Sequence, residues 1–525
     1  MKRTIPSPLL LIAAIVLDRL AVSSTQISIA ESLRSLFVLL FVATIMMFVV
    51  QYFVQDWLRT DFIVLMVPIV FVAYRSSYAF LKPNFIQHAN ALGIVLLLVI
   101  GLLYVLLTHP RSWKAIPNPE RLNAYFNLVF MVLFVFQIVR LAQDSRRGFL
   151  SLDLSSSNAI ATTDHEIKLE SDSSPDIYVI ILDGYARRDV LETIYQHDNT
   201  EFLHQLEQRG FYVARESHSN YTQTPYSMAS FWNFDYVQPW DEANEFARYL
   251  YQPIQSNRVF RALDEIGYTT VAFQSEANFA EIRNVDVYLS NSLPLNDFET
   301  LLLVDTPLEP LSNMLDLGLP ILSHKTHRER TLYQLETLKE IPSTLPKPKI
   351  VYAHMISPHP PFVFHQDGTV REPLLPYTLG EGVGVQGGIE AYQTGYLEQV
   401  KFINREMLAV IDAILAKSTQ PPIILLMSDH GPASMFNWDP ENPGCLWERT
   451  SNLYALLLPG HEQDQIAYPS ITPVNTFRLI FNTYFATDLP LRADRSYLMY
   501  WYEPTLRMDI TPQRDSMAGC TPSAE

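Results

Sequence analysis

The stretch 423–431 reads IILLMSDHG, five large apolar residues followed directly by Ser428, Asp429, His430 and Gly431. A continuous apolar run of this length, without polar residues at alternate positions, is typical of a strand covered on both faces by helices. The polar residues after it would lie beyond the carboxyl end of the strand, where open α/β sheets bind their ligands. This stretch therefore predicts both the fold class and the place of a site.

Two further stretches repeat the pattern. IYVIIL at Ile177–Leu182 precedes Asp183, and IVYA at 350–353 precedes His354 and, five residues later, His359. Helical patterns lie between the strands, at 201–209, 259–266 and 392–417. Because strands alternate with helices, we expect an α/β sandwich around a central, mostly parallel sheet.

Carboxylate and imidazole groups at these strand ends predict a metal site. Their oxygen and nitrogen atoms suit zinc or manganese, with calcium or magnesium as alternatives. A single Asp-Gly pair is more often only a turn, so the prediction depends on three strand ends coinciding.

A candidate nucleophile lies in NYTQTPYSMAS, 220–230. Thr224 before Pro225 predicts a helix N-cap followed by proline at the first helical position. A hydroxyl there faces the positive end of the helix, which favours an incoming anion. Beside a divalent metal it could act as a nucleophile, although a threonine that only caps a helix is also common.

The first 150 residues differ in character from the rest. They carry a net charge of +7, whereas the remainder carries −24, for a total of −17. Apolar stretches at 6–22, 33–53, 62–80, 92–108 and 122–141 predict about five membrane-spanning helices. Basic residues divide equally between the two sides, so charge does not orient the soluble part. The acidic remainder argues against nucleic-acid binding.

We therefore expect a helical membrane domain at 1–147, a polar linker at 148–174 and a catalytic domain at 175–525. The chain has two cysteines, Cys445 and Cys520, and no Cys-x-x-Cys pair, which excludes thiolate zinc sites and redox motifs of that type. A disulfide between them would suit an extracytoplasmic domain, but two free thiols fit the sequence equally well.

These features resemble the alkaline-phosphatase superfamily, and within it the membrane-anchored sulfatase-like proteins of the lipoteichoic-acid synthase and phosphoethanolamine transferase type. The pieces ILDGY at 181–185, HMISPHPPF at 354–362 and SDHG at 428–431 occur in the family's order. The resemblance implies that Asp183, Asp429 and His430 bind the metal. It also implies that Thr224 is both ligand and nucleophile, with Thr222 as the nearby competitor.

The resemblance further assigns substrate binding to His354, His359 and Arg449, with His359 also acting in catalysis. For Arg449, a surface salt bridge is an equally good reading. One departure matters, because classical sulfatases convert the first residue of a Cys/Ser-x-Pro-x-Arg motif to formylglycine. No cysteine or serine of this chain lies in such a motif, which disfavours a classical sulfatase.

The leading hypothesis is a metal-dependent transferase in the cytoplasmic membrane, with its catalytic domain outside. It would move a phosphoglycerol- or phosphoethanolamine-type head group from a membrane phospholipid, through a threonine intermediate, to a glycan or lipid acceptor. The alternative is a sulfatase-like phosphodiesterase or other hydrolase of phosphate or sulfate esters. A third reading, a structural or transport protein with a decayed site, is disfavoured because the apolar stretches contain few ionisable residues.

Overall fold

The structure, a computed structural model, describes residues 6–22, 29–81, 101, 113, 117–149, 174–238, 246–291, 297–303, 306, 308, 323–375, 377–439, 441–462, 466–500 and 507–520. The chain divides into two compact units. One comprises residues 1–155 and 293–321, and the other comprises residues 156–292 and 322–525. The segment 293–321, which lies within the predicted catalytic domain, thus groups with the N-terminal unit. The domain boundaries at 147 and 174 stay predictions.

Long apolar helices dominate the described part of the first unit: α1 (Ser7–Val22), α2 (Ile29–Val54), α3 (Trp57–Leu81) and α4 (Pro119–Phe149). Three helices among the described residues contain stretches long and apolar enough to cross a membrane, namely Ser32–Val54, Trp57–Tyr74 and Pro119–Leu141. Helix α1 has 16 residues, fewer than the ~20 that a span needs. The stretch predicted at 92–108 lies, except for residue 101, outside the described residues. The prediction of about five spans is therefore confirmed for three.

The second unit is built on a seven-stranded sheet with the order β2-β7-β6-β1-β5-β3-β4. Its strands are β1 (Ile177–Leu182), β2 (Tyr212–Val213), β3 (Thr269–Phe273), β4 (Val287–Leu289), β5 (Lys349–Met355), β6 (Ile423–Met427) and β7 (Tyr454–Leu457). Pairings among β6, β1, β5, β3 and β4 are parallel, whereas β7 pairs antiparallel with β6 and β2. A separate hairpin-like sheet joins β8 (Tyr497–Met499) to β9 (Arg507–Asp509). The mostly parallel sheet is confirmed.

The remaining α-helices that the structure describes are α5 (Arg188–Thr193), α6 (Thr200–Gln208), α7 (Thr224–Asn233), α8 (Phe246–Gln255), α9 (Arg258–Glu265), α10 (Asp297–Leu303), α11 (His324–Thr344), α12 (Ile389–Lys417), α13 (Leu446–Thr450) and α14 (Thr476–Tyr484). Helix α10 falls in the segment that groups with the first unit. Helices α6, α9 and α12 confirm the three helical patterns read from the sequence.

Strand β1 shows why its sequence is apolar at every position. Tyr178, Ile180 and Leu182 enter one buried hydrophobic cluster, and Ile177, Val179 and Ile181 enter a second. All six side chains are fully buried. Because residues alternate between the two faces of a strand, the sheet must be covered on both sides. The polar residues that follow β1 are therefore presented at the edge of a sandwich.

Candidate metal centre and active site

Three predicted ligands converge at the carboxyl ends of β1 and β6, which are adjacent parallel strands. Ligand atoms of Asp183, Asp429 and His430 all lie within 4.8 Å of one another. The Nε2 atom of His430 is 3.3 Å from Asp429 Oδ2 and 3.7 Å from Asp183 Oδ1. The structure thus brings together the ligand set that the motifs implied.

The carboxylates of this cluster fit a bound cation. Asp183 Oδ1 and Asp429 Oδ2 are buried and have no hydrogen-bond partner among the described residues. Each carboxylate has a hydrogen bond on its other oxygen only, from His354 for Asp183 and from the Gly184 amide for Asp429. Leaving one oxygen of a buried, ionised carboxylate without a partner costs free energy, which a divalent cation at this position would offset. Two carboxylates and one imidazole suit zinc or manganese.

His430 is prepared as a neutral ligand. Its Nδ1 atom lies 3.0 Å from the carbonyl oxygen of Gly431, which leaves Nε2 directed toward the carboxylates. Burial, together with the charge of Arg449, lowers the pKa of His430 to about 4. The imidazole is therefore uncharged at neutral pH, which is the form that binds metals.

The hydroxyl of Thr224 reaches this cluster. Its Oγ1 atom lies 3.1 Å from His430 Nε2. The expectation that Thr224 is the N-cap is wrong by one residue, because α7 begins at Thr224 and the extended Gln223 occupies the cap position. The Gln223 amide instead donates to the carbonyl of Met499, 3.0 Å away. The Thr224 side chain therefore contacts His430 rather than capping the helix.

Thr222 has a different role from Thr224. Its Oγ1 atom is buried without a hydrogen-bond partner among the described residues, and its carbonyl oxygen accepts a bond of 2.8 Å from Arg449 Nε. The contacts of Thr222 thus connect its backbone to Arg449, whereas those of Thr224 connect its hydroxyl to His430.

His354 lies behind Asp183 rather than in an open cleft. Only 1% of its surface is exposed. Its Nε2 atom donates to Asp183 Oδ2 at 3.1 Å, and its Nδ1 atom lies 3.0 Å from the hydroxyl of Tyr352. With both ring nitrogens occupied, His354 is placed to orient Asp183, a candidate ligand, which favours a supporting role over substrate contact.

His359 and Arg449 meet at a residue that the sequence did not single out, Glu381. Glu381 Oε1 lies 2.9 Å from His359 Nε2 and accepts a 2.9 Å bond from Arg449 Nη1. Its Oε2 atom lies 2.7 Å from Arg449 Nη2. Because Arg449 is 1% exposed, this ion pair is buried, and the surface salt bridge that the sequence left open is not found.

Glu381 also completes a second group of close ligand atoms, with Asp183 and His359. It lies in the glycine-rich stretch GEGVGVQGG, 380–388, which follows the nearest motif by some twenty residues. That stretch has neither an apolar period nor a ligand spacing, so the sequence offers no signal for this residue.

The charges in this half of the site are set by the cluster itself. Burial lowers the pKa of His359, but the carboxylates of Asp183 and Glu381 outweigh burial and raise it to about 9. Burial raises the pKa of Glu381, but the charges of Arg449, His430 and His359 outweigh it and hold that pKa well below its usual range. At neutral pH, His359 is a cation and Glu381 an anion.

Packing explains why position 431 in SDHG is a glycine. A Cβ atom on Gly431 would lie 1.9 Å from the carbonyl oxygen of Glu448, so no other residue fits without moving the backbone. The hydroxyl of Ser428 donates to the His430 carbonyl at 2.6 Å and accepts from the Tyr185 amide at 2.8 Å. These contacts connect the ends of β1 and β6 and hold the ligands in place.

The helix that carries Arg449 is anchored by a disulfide. Cys445 and Cys520 are bonded, with their Cα atoms 4.5 Å apart. Cys445 occupies the N-cap position of α13, four residues before Arg449. The sequence was compatible with either a disulfide or two free thiols, and the structure contains the disulfide.

No family model matches the chain, and no curated protein matches it. Among solved structures, the periplasmic domain of EcEptC from Escherichia coli, in complex with zinc, is similar with 11% identity and a TM-score of 0.45, over 68% of this chain and 99% of that one. The integral membrane lipooligosaccharide phosphoethanolamine transferase EptA from Neisseria meningitidis is similar with 13% identity and a TM-score of 0.37, over 82% and 87%.

A protein in the alkaline phosphatase superfamily from Vibrio parahaemolyticus is also similar, with 11% identity and a TM-score of 0.39, over 68% of this chain and 80% of that one. A 2-O GAG sulfatase is a further match. At these TM-scores the matches carry none of the functional argument below. The structural neighbours are phosphoethanolamine transferases, alkaline phosphatase superfamily members and sulfatases, the same groups that the sequence motifs resemble.

Proposed function

We propose that this protein is a metal-dependent transferase that moves a phosphoglycerol- or phosphoethanolamine-type head group from a membrane phospholipid to a glycan or lipid acceptor. The observation that carries the proposal is the placement of the Thr224 hydroxyl. It lies 3.1 Å from His430 Nε2, beside two buried carboxylates that have unpartnered oxygens among the described residues. A hydroxyl beside a cation site, at the start of a helix, is equipped for nucleophilic attack on an anionic group.

Asp183, Asp429, His430 and Thr224 would hold the metal. When bound, a divalent metal would supply positive charge that lowers the pKa of the threonine hydroxyl and of nearby groups. Thr224 loses its proton to solvent, and its Oγ1 attacks phosphorus. The bond from phosphorus to the diacylglycerol oxygen breaks, which leaves the head group on Thr224 as a phosphodiester.

His359 and Arg449 supply the remaining parts of the chemistry. Protonated His359 can give its proton to the leaving oxygen, and Arg449 can bind phosphoryl oxygens with its planar fork. Buried donors of this kind stabilise charge that develops during phosphoryl transfer. An acceptor hydroxyl then gives its proton to His359 and attacks the phosphorus on Thr224. The bond from phosphorus to Thr224 Oγ1 breaks and the threonine oxygen takes a proton from solvent, so that the enzyme returns to its starting state.

The membrane helices and the disulfide support a location for this reaction. A lipid donor stays in the bilayer, so apolar helices on the same chain keep the enzyme near its substrate. Disulfides persist mainly outside the cytoplasm, and Cys445–Cys520 is one. We therefore place the catalytic domain on the extracytoplasmic side of the cytoplasmic membrane.

The proposed function is tested by trapping the intermediate. Purified protein loaded with zinc or manganese is incubated with vesicles of native phospholipids, and peptide fragmentation by mass spectrometry then locates any added mass. We expect a phospho-head group on Thr224, with release of diacylglycerol. Thr224→Ala should lower diacylglycerol release by about 1,000-fold or more, since it removes the nucleophile. The matched variant Thr222→Ala should keep both the modification and most of the turnover.

Two results of that experiment would contradict the proposal. Modification of Thr222, with the loss of turnover in Thr222→Ala instead, would transfer the nucleophile to the competitor. Hydrolysis of lipid without transfer to any added glycan or lipid acceptor would make the enzyme a phosphodiesterase. Location is tested with Ser156→Cys, which should react with a membrane-impermeant thiol reagent in intact cells or spheroplasts. Labelling only after lysis would reverse the orientation.

A further inference from the structure

Glu381 occupies the space between the two residues that we assign to phosphoryl binding. Both of its carboxylate oxygens face the Arg449 guanidinium, at 2.9 Å and 2.7 Å, and Oε1 is also 2.9 Å from His359 Nε2. The side chain is 9% exposed, so water contributes little to its solvation. Three short contacts to the Arg449 guanidinium and the His359 imidazole therefore place this carboxylate where a phosphoryl group would accept the same hydrogen bonds.

A planar guanidinium binds carboxylate and phosphate with the same two-pronged geometry. The donors that Glu381 occupies are therefore the donors that a phosphoryl group would need. We propose that Glu381 is a built-in competitor of the substrate, a carboxylate that holds the phosphoryl position closed until the substrate displaces it. This inference rests on the proposed function, since it takes the substrate to be a phosphate ester bound by His359 and Arg449.

The chemistry of the pair favours this role over that of a second metal ligand. Asp183, His359 and Glu381 have ligand atoms close enough to share an ion. However, Arg449 already balances the charge of Glu381, and its guanidinium would repel a divalent cation placed against the same oxygens. A ligand role for Glu381 would appear in the experiment below as a loss of zinc from Glu381→Gln.

Among the described residues of the segment 377–388, Glu381 and Tyr377 make the side-chain hydrogen bonds and ion pairs to the rest of the second unit. The Tyr377 hydroxyl donates to Glu276 Oε2 at 2.7 Å. Gly382 and Gly388 have φ values of +104° and +103°, and an added Cβ would meet no atom within 4 Å at either one. Glycine is thus required there by backbone conformation rather than by packing, which suits a segment that changes its path.

A closed resting state weakens the apparent affinity for substrate. The apparent dissociation constant equals the intrinsic constant divided by the fraction of molecules that are open. If about one molecule in ten or fewer is open, removal of the carboxylate should tighten phosphate binding by about tenfold or more. Neutral glutamine keeps the size of the side chain but gives up the ionic bond to Arg449.

The experiment measures binding of inorganic phosphate to the full-length, zinc-loaded protein by titration calorimetry, with zinc content measured on the same samples. The wild type is compared with Glu381→Gln and with Glu372→Gln, an exposed carboxylate on the same segment. We expect about tenfold or tighter binding in Glu381→Gln, unchanged binding in Glu372→Gln and unchanged zinc in all three.

Equal or weaker phosphate binding by Glu381→Gln would overturn the inference, and so would loss of zinc, which would make Glu381 a metal ligand. If Glu381→Gln fails to fold, Tyr377→Phe decides: severalfold tighter binding supports a displaceable segment, and unchanged binding refutes it. Failure of the proposed function gives a different pattern. In that case Thr224 would stay unmodified after incubation with lipid. The inference, by contrast, depends on how much more tightly Glu381→Gln binds phosphate than the wild type does.

Discussion

Two groups of buried carboxylates lie beyond strand ends on the same edge of the sheet, and they differ in how their charge is balanced. Asp183 and Asp429 each have a buried oxygen without a hydrogen-bond partner among the described residues. Glu276, which follows β3, instead has its oxygens engaged by the Nδ1 atom of His327 at 2.5 Å, by the Arg330 guanidinium and by the Tyr377 hydroxyl.

The difference shows what separates a binding site from a structural ion-pair cluster. Both groups are buried, both contain carboxylate and imidazole, and β3 lies next to β5 in the sheet. In the Glu276 cluster, Arg330 supplies the compensating charge and His327 and Tyr377 contact the same carboxylate, so a metal would have to displace them. At Asp183 and Asp429, one oxygen each is without a hydrogen-bond partner among the described residues, which suits a cation from outside the chain. Unpartnered lone pairs, rather than buried acidity, therefore mark the candidate metal centre.

Removing the carboxylate of the Glu276 cluster should lower the stability of the fold. Glu276→Gln leaves Arg330 buried without its anion, so we expect a loss of about 3–5 kcal/mol in the free energy of unfolding and unchanged metal content. Denaturant unfolding followed by tryptophan fluorescence measures the free energy of unfolding, and elemental analysis measures the metal content. The control Glu336→Gln, on an exposed pair with Lys339, should change stability by less than about 1 kcal/mol. Loss of metal from Glu276→Gln would erase the distinction between the two groups.

Removing a carboxylate of the pair Asp183 and Asp429 should have the opposite effect: metal affinity falls, and the stability of the metal-free protein does not. Asp429→Asn should lower metal affinity by about 100- to 1,000-fold, since a binding energy of about 10–16 kcal/mol is shared by about four ligands. In the metal-free state the same variant should be at least as stable as the wild type, because it removes a buried charge whose Oδ2 atom has no hydrogen-bond partner among the described residues. Metal titration and thermal unfolding with and without chelator measure both effects. Equal metal affinity in variant and wild type would remove Asp429 from the ligand set.

Acid should affect the Glu276 cluster over a defined pH window. Burial raises the pKa of Glu276, but His327 and Arg330 outweigh it and lower that pKa from 4.5 to about 2. The unfolded chain therefore takes up a proton at higher pH than the folded one. The stabilisation, about 3 kcal/mol, is fully present above pH 4.5 and is lost as the pH falls toward 2. Thermal unfolding against pH should show this slope in the wild type, and a slope of the same size in Glu276→Gln would refute the assignment.

The smallest expected effect on metal affinity comes from His354, which orients the candidate ligand Asp183. His354→Asn removes the donor to Asp183 Oδ2, so we expect metal affinity to fall by about 10- to 100-fold while the protein stays folded. His365→Asn serves as the control, because His365 is partly exposed and pairs with Glu398 rather than with a candidate ligand. Metal titration of the two variants compares them directly, and an equal response would show that His354 has only a packing role.

The sequence by itself determined the parts of this protein that depend on local patterns. Continuous apolar runs such as Ile177–Leu182 identify strands buried on two faces, and the residue after each run lies at the carboxyl edge of the sheet. Asp183, Asp429 and His430 could be placed together for this reason, before any long-range contact was known. The helices at α6, α9 and α12 follow equally from their own periodicity.

Only the tertiary structure decided the features that join residues distant in sequence. Glu381 meets Arg449 across 68 positions, and Cys445 meets Cys520 across 75. Neither a glycine-rich loop nor a pair of cysteines contains a period or spacing that specifies its partner. Whether a buried carboxylate is neutralised, as Glu276 is, or left with unpartnered oxygens, as Asp183 is, depends on which cations the fold brings within a few ångströms. That proximity is a property of packing, and no local stretch of sequence contains it.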